Sequence, residues 1–134
     1  MRAVSRLRSP NGRFKLFEMK NELEARTKEF ALDVIRFVAV LPNNRNSDVL
    51  GRQLLKSGTS IGANYREANR AQSKDDFIHK LALCEKEAAE TEYWLELFLE
   101  GELAAPDKAS PLLSEAAELL AIFVASGRTA KSRR

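Results

Sequence analysis

Residues 57–71 read SGTSIGANYREANRA, with Gly58 and Gly62 four apart and hydroxyls at Ser57, Thr59 and Ser60. Such a cluster has three physical readings: a phosphate-binding loop, a flexible linker, or a helix thinned so that another can approach. A phosphate loop needs a strand before it and a lysine just after its last glycine. Here Ala63 follows Gly62, and a helical period passes straight through the segment. Leu50, Leu54, Ser57, Ile61, Asn64 and Ala68 recur in steps of three and four, with Leu55, Gly58, Gly62 and Tyr65 in the adjoining row. Those steps hold one face of a helix. Two mid-helix glycines cost roughly 2 kcal/mol relative to alanine. The offset is dispersion contact with a backbone that larger side chains would keep away. Ser57, Gly58, Ile61 and Gly62 are therefore assigned to close helix packing, against helix one or three of the same chain or a helix of another copy.

Working outward, the same period marks three more helices. The first carries Leu23, Thr27, Phe30, Val34, Phe37 and Leu41, with Asn21 as N-cap, Glu24 completing a capping box, and Pro42 as the stop. The second starts near Asp48, capped by Asn46 or Ser47. The third follows a Ser73 cap, with Asp75 and Asp76 in its first turn, and ends at Gly101. Its stripe is Phe77, Leu81, Cys84, Ala88, Thr91, Leu95 and Phe98. The fourth is capped by Ser110, opens on Pro111, carries Leu112, Leu113, Ala116, Leu119, Leu120, Phe123 and Val124, and stops at Gly127. No period-2 run signals a strand. The expectation is an all-α, antiparallel up-down-up-down four-helix bundle, left-handed, over residues 21–127.

At 134 residues there is material for one core. The single cysteine, Cys84, excludes an internal disulfide framework. No apolar run reaches the ~18–20 residues needed to cross a bilayer, so the expectation is a cytoplasmic protein with no membrane partner. Net charge is +3, unevenly spread. Residues 1–20 hold six Lys/Arg against Glu18, and residues 128–134 hold Arg128, Lys131, Arg133 and Arg134 with no acid. The body between them is therefore acidic. The ends read as basic, poorly ordered arms, which either hold nucleic acid through counterion release or solubilise the chain.

Polar residues on the stripes need partners, because an unpaired buried polar group costs about 1–3 kcal/mol. Ser60, Asn64, Glu67, Glu87 and Thr91 are grouped as one hydrogen-bond network that fixes helix register. Catalysis finds no support. His79, the only histidine, lies about 200° round its helix from the Phe77 stripe. Asp76 and His79 form a single Asp-x-x-His, whereas di-metal bundles need two inward-facing copies. No catalytic residue, metal ligand, cofactor or small-molecule substrate is expected. The carboxylates Glu92, Glu96 and Glu100 read as a solvated face or as a seat for something basic. Arg66, Arg70 and Lys74, with Lys80 beyond them, read as a phosphate-contacting edge or as partners of Glu67 and the third helix's acids. Tyr93, Trp94 and Leu97 lie off the core stripe, which points to burial against another copy.

The run from Asn21 to about Leu97 carries NELEARTKEFALDVI, QLLKSGTSIGANYREANRAQSKDDFIHKL and KEAAETEYWLEL. It resembles the four helix bundle proteins first noticed as reading frames within intervening sequences of 23S rRNA genes, formerly called ribosomal-protein-like. The motif residues that match are Gln53, Ser57, Ser60, Ile61, Asn64, Glu67, Ser73, Phe77, Lys80, Glu87 and Glu90. The resemblance implies a closed bundle, assembly as a homopentamer, and no assigned enzymatic activity. It begins near Met19, leaving residues 1–18 outside. Together these readings predict a non-enzymatic oligomeric bundle that binds structured RNA or other nucleic acid through Arg66, Arg70, Lys74, Lys80, Arg128, Lys131, Arg133 and Arg134. The alternative is a protein-interaction scaffold whose acidic body holds a basic protein partner.

Overall fold

The computed structural model describes residues 13–133, with side chains from Phe17 onward. Its elements are α1 (Arg13–Ala39), α2 (Arg45–Asn69), α3 (Lys74–Glu100) and α4 (Pro106–Ser132), and no strand occurs among the described residues. The stretch that reads as mid-helix in the sequence lies inside α2.

Helix ends depart from the sequence expectations in ways that capping chemistry explains. α1 runs through Asn21 and back to Arg13, because no glycine or proline interrupts the intervening residues. Glu24 closes no capping box; its Oε2 accepts from Asn69 Nδ2 at 2.7 Å. α2 starts earlier than Asp48. Asn44 is its N-cap, and its side chain accepts from the backbone N–H of Ser47 at 2.9 Å. Ser73 caps α3 as the spacing predicts, accepting from Asp76 N at 3.0 Å, and Gly101 forms the C-cap. α4 opens on Pro106, so Pro111 stands inside the helix and Ser110 caps nothing. The missing Pro111 N–H would have bonded the carbonyl of Asp107, an exposed residue whose carbonyl water can satisfy. Nor does Gly127 stop α4, which continues to Ser132 and buries Ala130.

Pairs across the helix seams give directions. Along α2, Gly51 faces Val38 and Leu41, Gly58 faces Val34, and Gly62 faces Thr27, so α1 and α2 are antiparallel. Ser57 meets Thr91, Ile61 meets Cys84 and Glu67 meets Lys80, so α2 and α3 are antiparallel too. α4 follows the short 101–105 link and packs its Tyr65-contacting Phe123 into the same core, ring centroids 5.6 Å apart. The core is one continuous cluster in which Phe30, Phe98, Phe123, Leu54, Ile61, Leu81, Leu95 and Leu119 are fully buried. Phe37 meets Phe98 edge-on at 5.4 Å, a favourable quadrupole geometry. Of the four neighbouring pairs α1 and α4 touch least, and Arg26 braces their seam: Nε lies 2.6 Å from Glu115 Oε2, and Nη2 reaches Glu115 Oε1 at 2.8 Å and Glu118 Oε1 at 2.6 Å.

Two stripes shift slightly from their sequence positions. On α2 the buried row passes through Tyr65 and leaves Asn64 half-buried. On α3 it opens at Ile78, with Phe77 only partly covered. α4 also corrects the expectation about apolar runs. It is long and apolar enough by composition to span a bilayer, yet its Leu112, Ala116, Leu119 and Phe123 row is buried in the bundle.

The glycines decide how close α1 and α2 come. A Cβ on Gly58 would stand 3.0 Å from Val34 Cγ2; one on Gly62 would stand 3.1 Å from Thr27 Oγ1 and 3.4 Å from the Thr27 carbonyl carbon. Gly127 meets nothing within 4 Å. Urea unfolding should separate the two kinds of site. Gly58→Leu is expected to lose about 1–3 kcal/mol by overpacking, and Gly127→Ala to gain about 0.5–1 kcal/mol by helix propensity alone. Equal midpoints for both variants would contradict this account.

Candidate nucleic-acid interface

The antiparallel pairs place α2's last turn and α3's first turn at one end of the bundle. α4's last turn lies there as well, because Phe123 is level with Tyr65, one turn before α2 ends. Arg70, Lys74, Arg128, Lys131 and Arg133 are exposed at that end, with no ion-pair partner among the described residues. Arg128 and Lys131 sit on a helix rather than in a free tail. Arg134 lies outside the described residues, as do residues 1–12 of the N-terminal arm.

Two members of the expected basic set are engaged internally. Lys80 Nζ lies 2.7 Å from Glu67 Oε1, a contact that raises the lysine pKa. Arg66 Nε is 3.9 Å from Glu24 Oε1. Glu24, Arg66 and Asn69 thereby tie α1 to α2, and Glu67 with Lys80 ties α2 to α3. These links hold the α2–α3 turn in place and leave Arg70 and Lys74 as its outward charges.

The single network expected from Ser60, Asn64, Glu67, Glu87 and Thr91 does not form. Ser60 Oγ donates to the Lys56 carbonyl at 2.6 Å, and Asn64 Nδ2 donates to the Ser60 carbonyl at 2.9 Å, both within α2. Short polar side chains on a helix find the preceding turn's carbonyls first. Of these residues only Thr91 bonds into the buried seam: its Oγ1 lies 2.8 Å from Ser57 Oγ and 2.7 Å from the Glu87 carbonyl. Glu87 itself is half-buried, and desolvation raises its pKa, with the neighbouring Glu90 charge adding to the shift.

The proposed self-association residues divide as well. Tyr93 is 53% exposed, its ring 5.1 Å from that of Trp94. Trp94 is half-buried against the chain's own core, with its indole N–H buried and unpartnered. Leu97 is half-buried. The glycines face α1 of the same chain: Gly51 and Gly58 are buried against it, and Gly62 is half-buried beside Thr27. Beside Tyr93, Glu92 is half-buried and Glu96 and Glu100 are exposed, none with an ion-pair partner among the described residues.

His79 is exposed, and no group of three or more His, Cys, Asp or Glu among the described residues is placed to hold a metal. Cys84 is buried, its Sγ donating to the Ile61 carbonyl at 3.7 Å. Burial pushes its pKa up to about 12, with the charges of Glu67 and Glu87 adding to the shift. A thiol so held is a core group and a poor nucleophile. One opening, of about 290 Å³, lies between α1 and α2 and is lined by Thr27, Lys28, Ala31, Thr59, Gly62 and Ala63, with Glu24 and Arg66 at its edge.

The sequence profile of the 23S rRNA-intervening sequence proteins matches residues 19–125. The chain belongs to that family. A solved relative is a protein of unknown function from the S23 ribosomal protein family of Bacteroides thetaiotaomicron. It is 38% identical, with the alignment covering 81% of this chain and 97% of that one at a TM-score of 0.75. No curated protein matches. Family membership thus establishes the bundle and brings no assigned reaction with it.

The buried thiol yields a measurable signature. Iodoacetamide should label Cys84 only when denaturant opens the bundle. Below the ordinary thiol value of 9.0 both folded and unfolded chains keep the proton. As pH climbs from there towards 12 the unfolded chain loses it first, so stability should fall. In Cys84→Ala that component of the decline should vanish; an unchanged alkaline profile would contradict it.

Proposed function

We propose that the protein is a non-enzymatic, cytoplasmic bundle that assembles with its own copies and holds structured RNA at its basic end. One observation carries this reading: the antiparallel topology gathers Arg70 and Lys74 from the α2–α3 turn with Arg128, Lys131 and Arg133 from the end of α4. Those groups are about sixty residues apart in the chain and share an end only in the fold. Charges with no ion-pair partner among the described residues can replace the counterions condensed on a phosphate backbone. Base readout has no obvious carrier among them, so binding should follow shape and charge rather than sequence.

Gel-shift titration of structured RNA across salt concentrations tests it. Arg70→Glu with Lys74→Glu should weaken binding uniformly across RNA sequences and flatten the salt slope by about 0.7–0.9 for each phosphate no longer neutralised. Affinity no better than that of an unrelated neutral helical protein would end the idea. For assembly, the family resemblance leads to five copies, so light scattering should report about five times the 15.1 kDa chain.

A second reading rests on Glu92, Glu96 and Glu100, which have no ion-pair partner among the described residues: a scaffold whose acidic body holds a basic protein. Deleting residues 128–134 separates the two, since the RNA reading requires a smaller salt slope and the scaffold requires unchanged partner capture.

A further inference from the structure

At the end of the bundle away from Arg70 and Lys74, the α1–α2 turn borders an opening of about 390 Å³. Val38, Leu41 and Leu55 give it an apolar wall, and Gly51 lets them close up. A Cβ on Gly51 would stand 3.2 Å from Leu41 Cδ1 and 3.5 Å from Val38 Cγ1. Ser47, in the first turn of α2, lines the same opening. It is 2% exposed, and its Oγ is buried with no hydrogen-bond partner among the described residues. Native structures rarely leave a buried hydroxyl unmet, and a bound molecule is one remedy. Asp48 and Arg52 also line the opening, and both are exposed. Four residues apart, they are spaced to bridge one another, yet neither has an ion-pair partner among the described residues.

We propose that this opening binds a free α-amino acid with an aliphatic side chain. Arg52 takes the carboxylate and Asp48 the ammonium, while the side chain lies against Val38, Leu41 and Leu55. Ser47 Oγ, which can both donate and accept, completes the polar end. The paired charges select the ligand by what they reject. A simple anion that meets Arg52 also meets Asp48, and a simple cation suffers the reverse, so only a molecule with both charges on adjacent groups satisfies the site. Helix ends reinforce that choice. Ala39 lines the opening from the last turn of α1, where carbonyls make the potential negative, and Ser47 lines it where the N–H groups of α2 make it positive. The interior of a peptide carries neither charge, which favours the free amino acid. An opening of about 390 Å³ falls within the size range of small-ligand sites. The site requires no nucleic acid, and it stands or falls separately from the RNA reading.

Ligand-observed saturation-transfer NMR on the full chain, titrated with L-leucine in the absence of RNA, reads the binding directly. Saturable binding is expected at millimolar leucine. Isocaproate, which lacks the ammonium, and isoamylamine, which lacks the carboxylate, should each bind at least about ten-fold more weakly, since each forfeits a charge-assisted hydrogen bond. Asp48→Asn should erase leucine's advantage over isocaproate, and Arg52→Gln its advantage over isoamylamine. Both side chains are exposed, so neither change disturbs the core. Ser47→Ala should weaken leucine several-fold, whereas a hydroxyl met only by water would leave its affinity unchanged. No saturation at millimolar leucine, equal binding of the three compounds, an advantage that survives Asp48→Asn or Arg52→Gln, or an unchanged affinity in Ser47→Ala would each overturn the proposal.

Discussion

The close approach of α1 and α2 is the constraint from which the rest of the bundle follows. Thr27, Val34 and Leu41 can rest against α2 only because Gly62, Gly58 and Gly51 offer no side chain there. With that face given to α1, α2 turns Ser57 and Ile61 towards α3, where they meet Thr91 and Cys84. Dispersion across a thinned seam offsets the glycines' poor helix propensity, and the helix persists because tertiary packing outweighs local preference.

The fold was legible in the sequence because helical periodicity is a geometric property that each stripe displays on its own. Ends were less legible, since caps compete: Asn44, Asn46 and Ser47 all suit an N-cap, and burial of Ser47 decides for Asn44. Polar partners were the least legible. Thr91 and Ser57 were both recognisable as stripe residues that need satisfaction, yet Ser60 and Asn64 bond their own helix. Arg26 and Glu115 are 89 residues apart, and nothing local announces their pairing. The basic end was half visible: the α2–α3 turn and the C-terminus each looked charged, but only topology brings them to one place.

That topology sorts the surface charges. Internal pairs such as Lys80 with Glu67 consume some of them and thereby define which ones remain for a partner. Arg70, Lys74, Arg128, Lys131 and Arg133 share the end where α2, α3 and α4 meet, while Arg45, Arg52 and Lys108 are exposed at the other end, where the final turns of α3 carry Glu96 and Glu100. A binding surface made of such charges acts through their summed field more than through any single residue.

The glycine seam also limits how such a chain can change over time. Each residue advances a helix by about 100°. Adding or deleting one residue between Gly51 and Gly62 would swing part of the bare edge away from α1 and thrust a bulky side chain into its place. Length drift is therefore admissible only where phase does not matter, in the connecting turns and at the outer tips, and the middle of α2 is frozen in its count of residues even where the residues themselves vary.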